Sequence, residues 1–186
     1  MPNWITNRLT VKGPNALEVV RELSSKTEDG QVLAIDFNKI LPMPEDVYKG
    51  NLGRIEREKH GKNNWYDWSL ANWGTKWNAC ASEAKDNVIT FDTAWSPVID
   101  LIVKLSEKYP ENTFKCEYAE EFLGNFTGYT VCNNGELEED VQHDDDSREA
   151  CDLALDLWGM TDEFTYNEET NKYERIKEKS EDEGEM

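Results

Sequence analysis

At 186 residues the chain is long enough for one ordinary domain with a hydrophobic core, plus an extension too small to fold well alone. Its 38% apolar content supplies that core, while 32% charged residues and the lack of any apolar run near ~18 residues exclude a membrane-spanning helix. The net charge of −19 is concentrated at one end, where residues 136–186 hold 20 acidic and 5 basic side chains; such a field repels phosphate backbones and attracts basic protein surfaces.

Residues 1–7 lack the basic start and apolar stretch of a secretory signal, so a cytoplasmic location is expected. Residues 4–12 alternate, with Ile5, Leu9 and Val11 on one face and Thr6, Arg8, Thr10 and Lys12 on the other, the period of a half-buried strand. Asn15 with Glu18 reads as a capping box before a helix carrying Leu17, Val20 and Leu23, ending before Asp29-Gly30. The two prolines of 35–44 stop regular structure there, so that stretch is expected to lie extended over the core. Residues 45–63 are polar and mixed in charge, a surface insertion with a helical turn or two.

Residues 65–78 are dense in aromatics, and Trp65, Trp68, Ser69 and Asn72 would share one face of a helix ended by Gly74. Residues 77–81 and 88–93 read as two strands of a hairpin, joined by a polar connection over 83–87, with Ile89 and Phe91 toward the core. Ser96-Pro97 looks like an N-cap and first helical position, followed by the stripe Val98, Leu101, Ile102, Leu105 and Tyr109. Phe114, Cys116 and Tyr118 alternate in a further strand, and 126–132 forms another, expected to pair antiparallel with it. A polar acidic link follows. Asp146 with Glu149 then suggests a capping box before a helix with Ala150, Leu153, Ala154 and Leu157 inward, and Phe164, Tyr166, Tyr173 and Ile176 suggest a terminal hairpin. Residues 177–186 are too charged to pack and are expected to be disordered.

With the insertion set aside, the first six elements spell βαββαβ, an α+β, ferredoxin-like split-βαβ arrangement with two helices on one face of an antiparallel sheet. The expected division is a ferredoxin-like domain over 1–132 with an insertion at about 35–75, an acidic helix-hairpin extension over 133–176, and the tail. Four stretches in order, Met1-Pro2-Asn3-Trp4-Ile5-Thr6-Asn7-Arg8-Leu9, Phe37-Asn38-Lys39-Ile40-Leu41-Pro42-Met43-Pro44, Asn64 to Asn78 with its tryptophans, and Phe91-Asp92-Thr93-Ala94-Trp95-Ser96-Pro97, resemble the YubB ferredoxin-like domain family. The resemblance covers about residues 1–132. It implies the ferredoxin-like fold in proteins carried by phages and plasmids and implies no activity. Ile5 stands where the family's opening motif is associated with Cys, and the acidic segment from Glu136 onward lies outside the resemblance.

The candidate chemistry is sparse. Cys80, Cys116, Cys132 and Cys151 are widely spaced, form no C-x-x-C pair and suggest no zinc site, so they read as small buried hydrophobes. Asp67 and Asp92 near Lys76 would be the minimum of a hydrolytic site, but no nucleophile elbow, phosphate loop or histidine base accompanies them; a salt bridge or cap is the simpler reading. His143-Asp144-Asp145-Asp146 lacks the glycine and distal glutamate of a calcium loop. No cofactor and no catalytic residue are therefore expected. The leading expectation is a non-enzymatic module that binds a basic host protein, such as a defence or nucleic-acid-handling protein, through Glu136, Glu138, Glu139, Asp140, Asp144, Asp145, Asp152 and Asp156. The alternative is a small-ligand or nucleotide-binding protein, even an enzyme, with a pocket between the Trp-rich insertion and the sheet formed by Trp65, Asp67, Trp68, Trp73, Lys76, Trp77 and Asp92. Against that stands the plainer role of those rings as glue between insertion and sheet. A third reading is single-stranded nucleic-acid binding on an open sheet face, which the acidic field disfavours and which the Arg54–Lys62 cluster, interrupted by Glu56 and Glu58, signals only weakly.

Overall fold

The first strand organises the molecule. In the computed structural model, which describes residues 2–27 and 30–176, β1 (Trp4–Lys12) buries Ile5, Asn7, Leu9 and Val11 on one face and leaves Trp4, Thr6, Arg8 and Thr10 half-buried on the other. Helix α1 (Ala16–Leu23) follows. Val19, Val20 and Leu23 are buried and Ala16 packs beside them, the i, i+3, i+4, i+7 stripe of an amphipathic helix. Leu17, expected inside, falls on the opposite side of that stripe and is 52% exposed. Asn15 occupies the N-cap, yet its side chain makes no capping bond, so the capping box with Glu18 does not form.

A small hairpin, β2 (Ser25–Lys26) with β3 (Val32–Leu33), leads into α2 (Phe37–Ile40). The stretch expected to be extended thus contains one helical turn, because Asp36 caps it by accepting from the Asn38 amide at 2.9 Å. Phe37 is thereby driven into the core, where complete burial of such a ring is worth roughly 1.5–3 kcal/mol. Helix α3 (Arg54–His60) has no buried residue, and α4 (Trp65–Asn72) starts where the Asn64 side chain accepts from the amides of Tyr66 and Asp67.

Strands β4 (Cys80–Lys85) and β5 (Val88–Ala94) form the expected hairpin with a different boundary: β4 runs through most of what read as a polar connection. An edge strand exposed to water tolerates Glu83 and Lys85, so its composition does not look like a strand. Helix α5 (Ile99–Lys108) has Val98, and not Ser96, at its N-cap; Ser96 Oγ instead donates to the Gly74 carbonyl and Pro97 is buried ahead of the first turn. Then come β6 (Thr113–Glu120), β7 (Thr127–Asn133) and β8 (Glu136–Gln142). The last of these is the segment expected to be an acidic link. Helix α6 (Arg148–Trp158) is capped by Ser147, which accepts from the Ala150 amide at 3.1 Å, where Asp146 was expected to cap. It ends at left-handed Gly159, and a 3-10 turn (Thr161–Glu163) leads to the hairpin β9 (Phe164–Asn167) and β10 (Lys172–Arg175). The tail expected to be disordered lies outside the described residues.

The main sheet has the order β4-β5-β1-β6-β7-β8, with every neighbouring pair antiparallel. Its first four strands with α1 and α5 reproduce the split-βαβ connection. Both helices pack on one face, where Leu9, Phe91, Phe114 and Cys116 meet Val19, Val20, Leu101, Ile102 and Leu105. Helix α6 lies on the other face: Asp156 reaches Arg8, whose neighbours on β1 point into the core, and Ala150, Cys151, Ala154 and Leu155 are buried against the sheet. The α+β architecture is therefore a six-stranded antiparallel sheet with helices on both faces.

Candidate functional site

The eight acidic residues expected to bind a partner fall into two groups. Glu136, Glu138, Glu139 and Asp140 lie on β8, an edge strand hydrogen-bonded on one side to β7, and all four are exposed. None of the four enters an ion pair among the described residues. The remaining four are partly engaged. Asp145 Oδ1 accepts from the Phe126 amide at 3.2 Å, Asp152 receives the Tyr173 hydroxyl, and Asp156 holds Arg8 at 2.7 Å, while Asp144 stays exposed in the turn before α6. The free carboxylates thus form an edge, and the bound ones secure α6 and the loop beneath it.

The seven residues of the alternative pocket are divided between the two faces of the sheet. Trp73 is 3% exposed in the main core, its indole N–H donating to the Leu41 carbonyl at 2.9 Å and its ring edge-on to Phe37 and Trp68. Trp65 donates to the Gly50 carbonyl at 3.0 Å, and Asp67 accepts from the Asn64 amide group at 2.5 Å. These contacts tie α4 to the preceding loop. An open hollow of about 460 Å³ borders Asp67 and Trp68 on the outer side of the helix.

Lys76, Trp77 and Asp92 lie on the face of α6, beyond its reach. Thr75, fully buried, fastens this loop to the end of β5 by donating to the Ala94 carbonyl at 2.9 Å and accepting from the Ala94 amide at 3.1 Å. Lys76 is held so that its Nζ lies 4.2 Å from the Trp77 ring centroid and 5.3 Å from that of Trp95. The chain of rings continues in both directions. Trp77 meets Trp4 at 6.1 Å, and Trp95 meets Tyr66 at 6.4 Å, where the Arg57 guanidinium sits 5.3 Å over the Tyr66 ring. Trp95 is 43% exposed and adopts φ +74°, a left-handed conformation that costs a bulky residue about 1–2 kcal/mol.

Asp92 and Cys80 sit opposite each other on β5 and β4 beside these rings. Burial raises the Asp92 carboxyl above its ordinary range, a hydrogen bond from Thr6 only partly offsetting it. Burial and the nearby Asp92 charge likewise raise the Cys80 thiol, which disfavours a thiolate nucleophile there. Deeper in the core, burial pushes Cys116 up to about 12 and Cys132 up to about 11, and all four cysteines are free. Trp4 and Trp95 gave one early signal: the alternation of β1 places Trp4 on the face of Thr6 and Arg8. The spacing between Lys76 and Trp95 gave none, because a loop and a strand end meet there.

No helix among the described residues is long and apolar enough to cross a membrane. Residues 72–161 match a family model described as the ferredoxin-like domain in Api92-like protein. The matched stretch runs from the end of α4 through α6, so it takes in β8 and the acidic residues that the sequence resemblance left outside. Among solved structures the chain is similar to the crystal structure of a protein api92 from Yersinia pseudotuberculosis, at 10% identity, with 77% of this chain and 99% of that chain covered and a TM-score of 0.44. No curated protein matches. By its strand order, its crossovers and the matched stretch, the chain carries a ferredoxin-like domain similar to that of Api92-like proteins.

Proposed function

We propose that this protein is a non-enzymatic binding module that docks a basic protein surface along the acidic edge of its sheet. The observation that carries this reading is the placement of Glu136, Glu138, Glu139 and Asp140 on an edge strand, exposed and free of ion pairs among the described residues. An edge strand offers unpaired backbone groups, and carboxylates on both its faces favour an incoming strand or helix rich in Lys and Arg. The same charges discourage pairing between copies, so selection against aggregation accounts for part of the pattern. The wider proposal places the protein in the YubB group, in the cytoplasm of a host cell that carries the phage or plasmid, acting on a host defence or nucleic-acid-handling protein.

The test is affinity capture from nuclease-treated host lysate with the full chain and with a variant in which the four β8 carboxylates become Gln or Asn. A basic partner held by the native chain, released by salt and lost with the neutral variant is expected. A partner retained equally by the neutral variant would place the docking surface elsewhere.

A further inference from the structure

The Trp-rich segment is not absorbed by the acidic edge, and its exposed part has a charge of its own. Residues 49–76 carry six basic and three acidic side chains, a net of +3 within a chain of −19. From this positive segment and the adjoining strand ends come Arg57, Tyr66, Lys76, Trp77, Trp95 and Trp4, joined in one row by contacts of 4.2 to 6.4 Å. The neighbouring rings meet edge-on or tilted, at 79° for Tyr66 with Trp95 and 42° for Trp4 with Trp77, so they do not consume each other's faces by stacking.

We infer that this row is a binding strip for single-stranded nucleic acid, with bases stacking on Trp95 and Tyr66 and phosphates lying against Lys76 and Arg57. Flat, partly exposed rings interleaved with cations are what an unpaired strand requires, since every base has a π-face and every linkage a negative charge. The acidic edge does not cancel the attraction. Strand β8 is four steps from β5 in the sheet, about 19 Å at about 4.8 Å per step, whereas charges are screened within about 8 Å at physiological ionic strength. Glu120, which accepts from Asn3, and Asp92 border the Trp4 end, so the strand's phosphates run on the Lys76 and Arg57 side. The strained backbone of Trp95 fits the same role: a ring held outward in a left-handed conformation is kept there against a local cost, by contacts that include its amide donating to the Asn3 carbonyl at 2.9 Å.

The experiment is fluorescence anisotropy of labelled oligo(dT) and oligo(rU) of about 15 nucleotides, titrated with the full chain at about 50 mM salt and above, with intrinsic tryptophan emission read in parallel. Binding of either oligonucleotide with quenching of tryptophan is expected. Trp95→Gly, which suits the left-handed backbone and removes the ring, should weaken binding about tenfold. Lys76→Gln should lower the slope of log affinity against log salt by about 0.7, a readout that lost packing alone would not move. The inference is overturned by no binding at low salt, by binding that neither variant alters, by equal affinity for duplex DNA, or by self-association that Trp95→Gly abolishes in the absence of oligonucleotide binding.

Discussion

Arg8 shows how one side chain couples the two halves of the molecule. Its guanidinium holds Glu117 at 2.9 Å on the neighbouring strand β6 and Asp156 at 2.7 Å on α6, and Lys115 adds a third partner to Glu117 at 2.8 Å. Burial pushes the Glu117 carboxyl up, but the hydrogen bonds and charges of Arg8 and Lys115 outweigh it and bring it below the ordinary 4.5. A carboxylate whose folded value is depressed stabilises the fold above the unfolded value and loses that contribution as pH falls through the folded one. Asp92 has the opposite sign: its raised value makes ionisation a cost of folding, which grows as pH rises above the ordinary 3.8. Urea titrations should therefore show Glu117→Gln lowering stability by about 1–3 kcal/mol at pH 7, with the difference shrinking below pH 4.5, while Asp92→Asn stabilises at pH 7. The outward face of β1 was legible as polar. That Arg8 would be covered was not, because nothing near it in sequence announces α6.

At the scale of elements, composition concealed β8. Five of the seven residues from Glu136 to Gln142 are exposed acids or Gln, and an edge strand wet on both sides has no apolar alternation to display. Its register is set from β7, where Gly128 faces Gln142. A Cβ at Gly128 would run into the Val141 carbonyl and the Tyr118 ring, so the close approach of the two strands there depends on glycine. Gly128→Ala should cost about 1–3 kcal/mol in denaturant melts and speed amide exchange in 136–142 ahead of the rest of the sheet. By contrast α5 and β6 were readable, since Leu101, Ile102 and Leu105, and Phe114, Cys116 and Tyr118, follow their periods without interruption. Helix boundaries fared worse. Ser96-Pro97 has the chemistry of a helix start, but Ser96 is spent on holding the Trp-rich loop through Gly74.

For the whole molecule, the split-βαβ connection followed from counting elements, while the sixth strand and the burial of the second face did not. The segment after residue 135 supplies the sixth strand and the helix that covers β6, β7 and part of β1. Removing it would bare β7 as a new edge and expose the sheet that Ala150, Ala154 and Leu155 cover. A chain ending at 135 should melt well below the full chain in calorimetry and aggregate on heating; equal melting temperatures would mean that the segment contributes nothing to the sheet. The pocket expected between insertion and sheet divided for a related reason. Trp73 and Asp92 are nineteen positions apart in the chain, yet a strand's alternation sends Asp92 to the face opposite Phe91 and the core that holds Trp73.

The central place of β1 also governs the order in which the chain can assemble. Its two partners are β5, at Val88–Ala94, and β6, at Thr113–Glu120. As the chain is made, β1 therefore has no neighbour in the sheet until Val88–Ala94 has followed it, and it lacks its second until the end of β6. Such distant pairing makes for slow folding, and an apolar face carrying Ile5, Leu9 and Val11 must wait through it. The nascent protein is expected to be most open to holding by a chaperone over that interval, and β8 and α6 close over a sheet whose middle was laid down early and completed late.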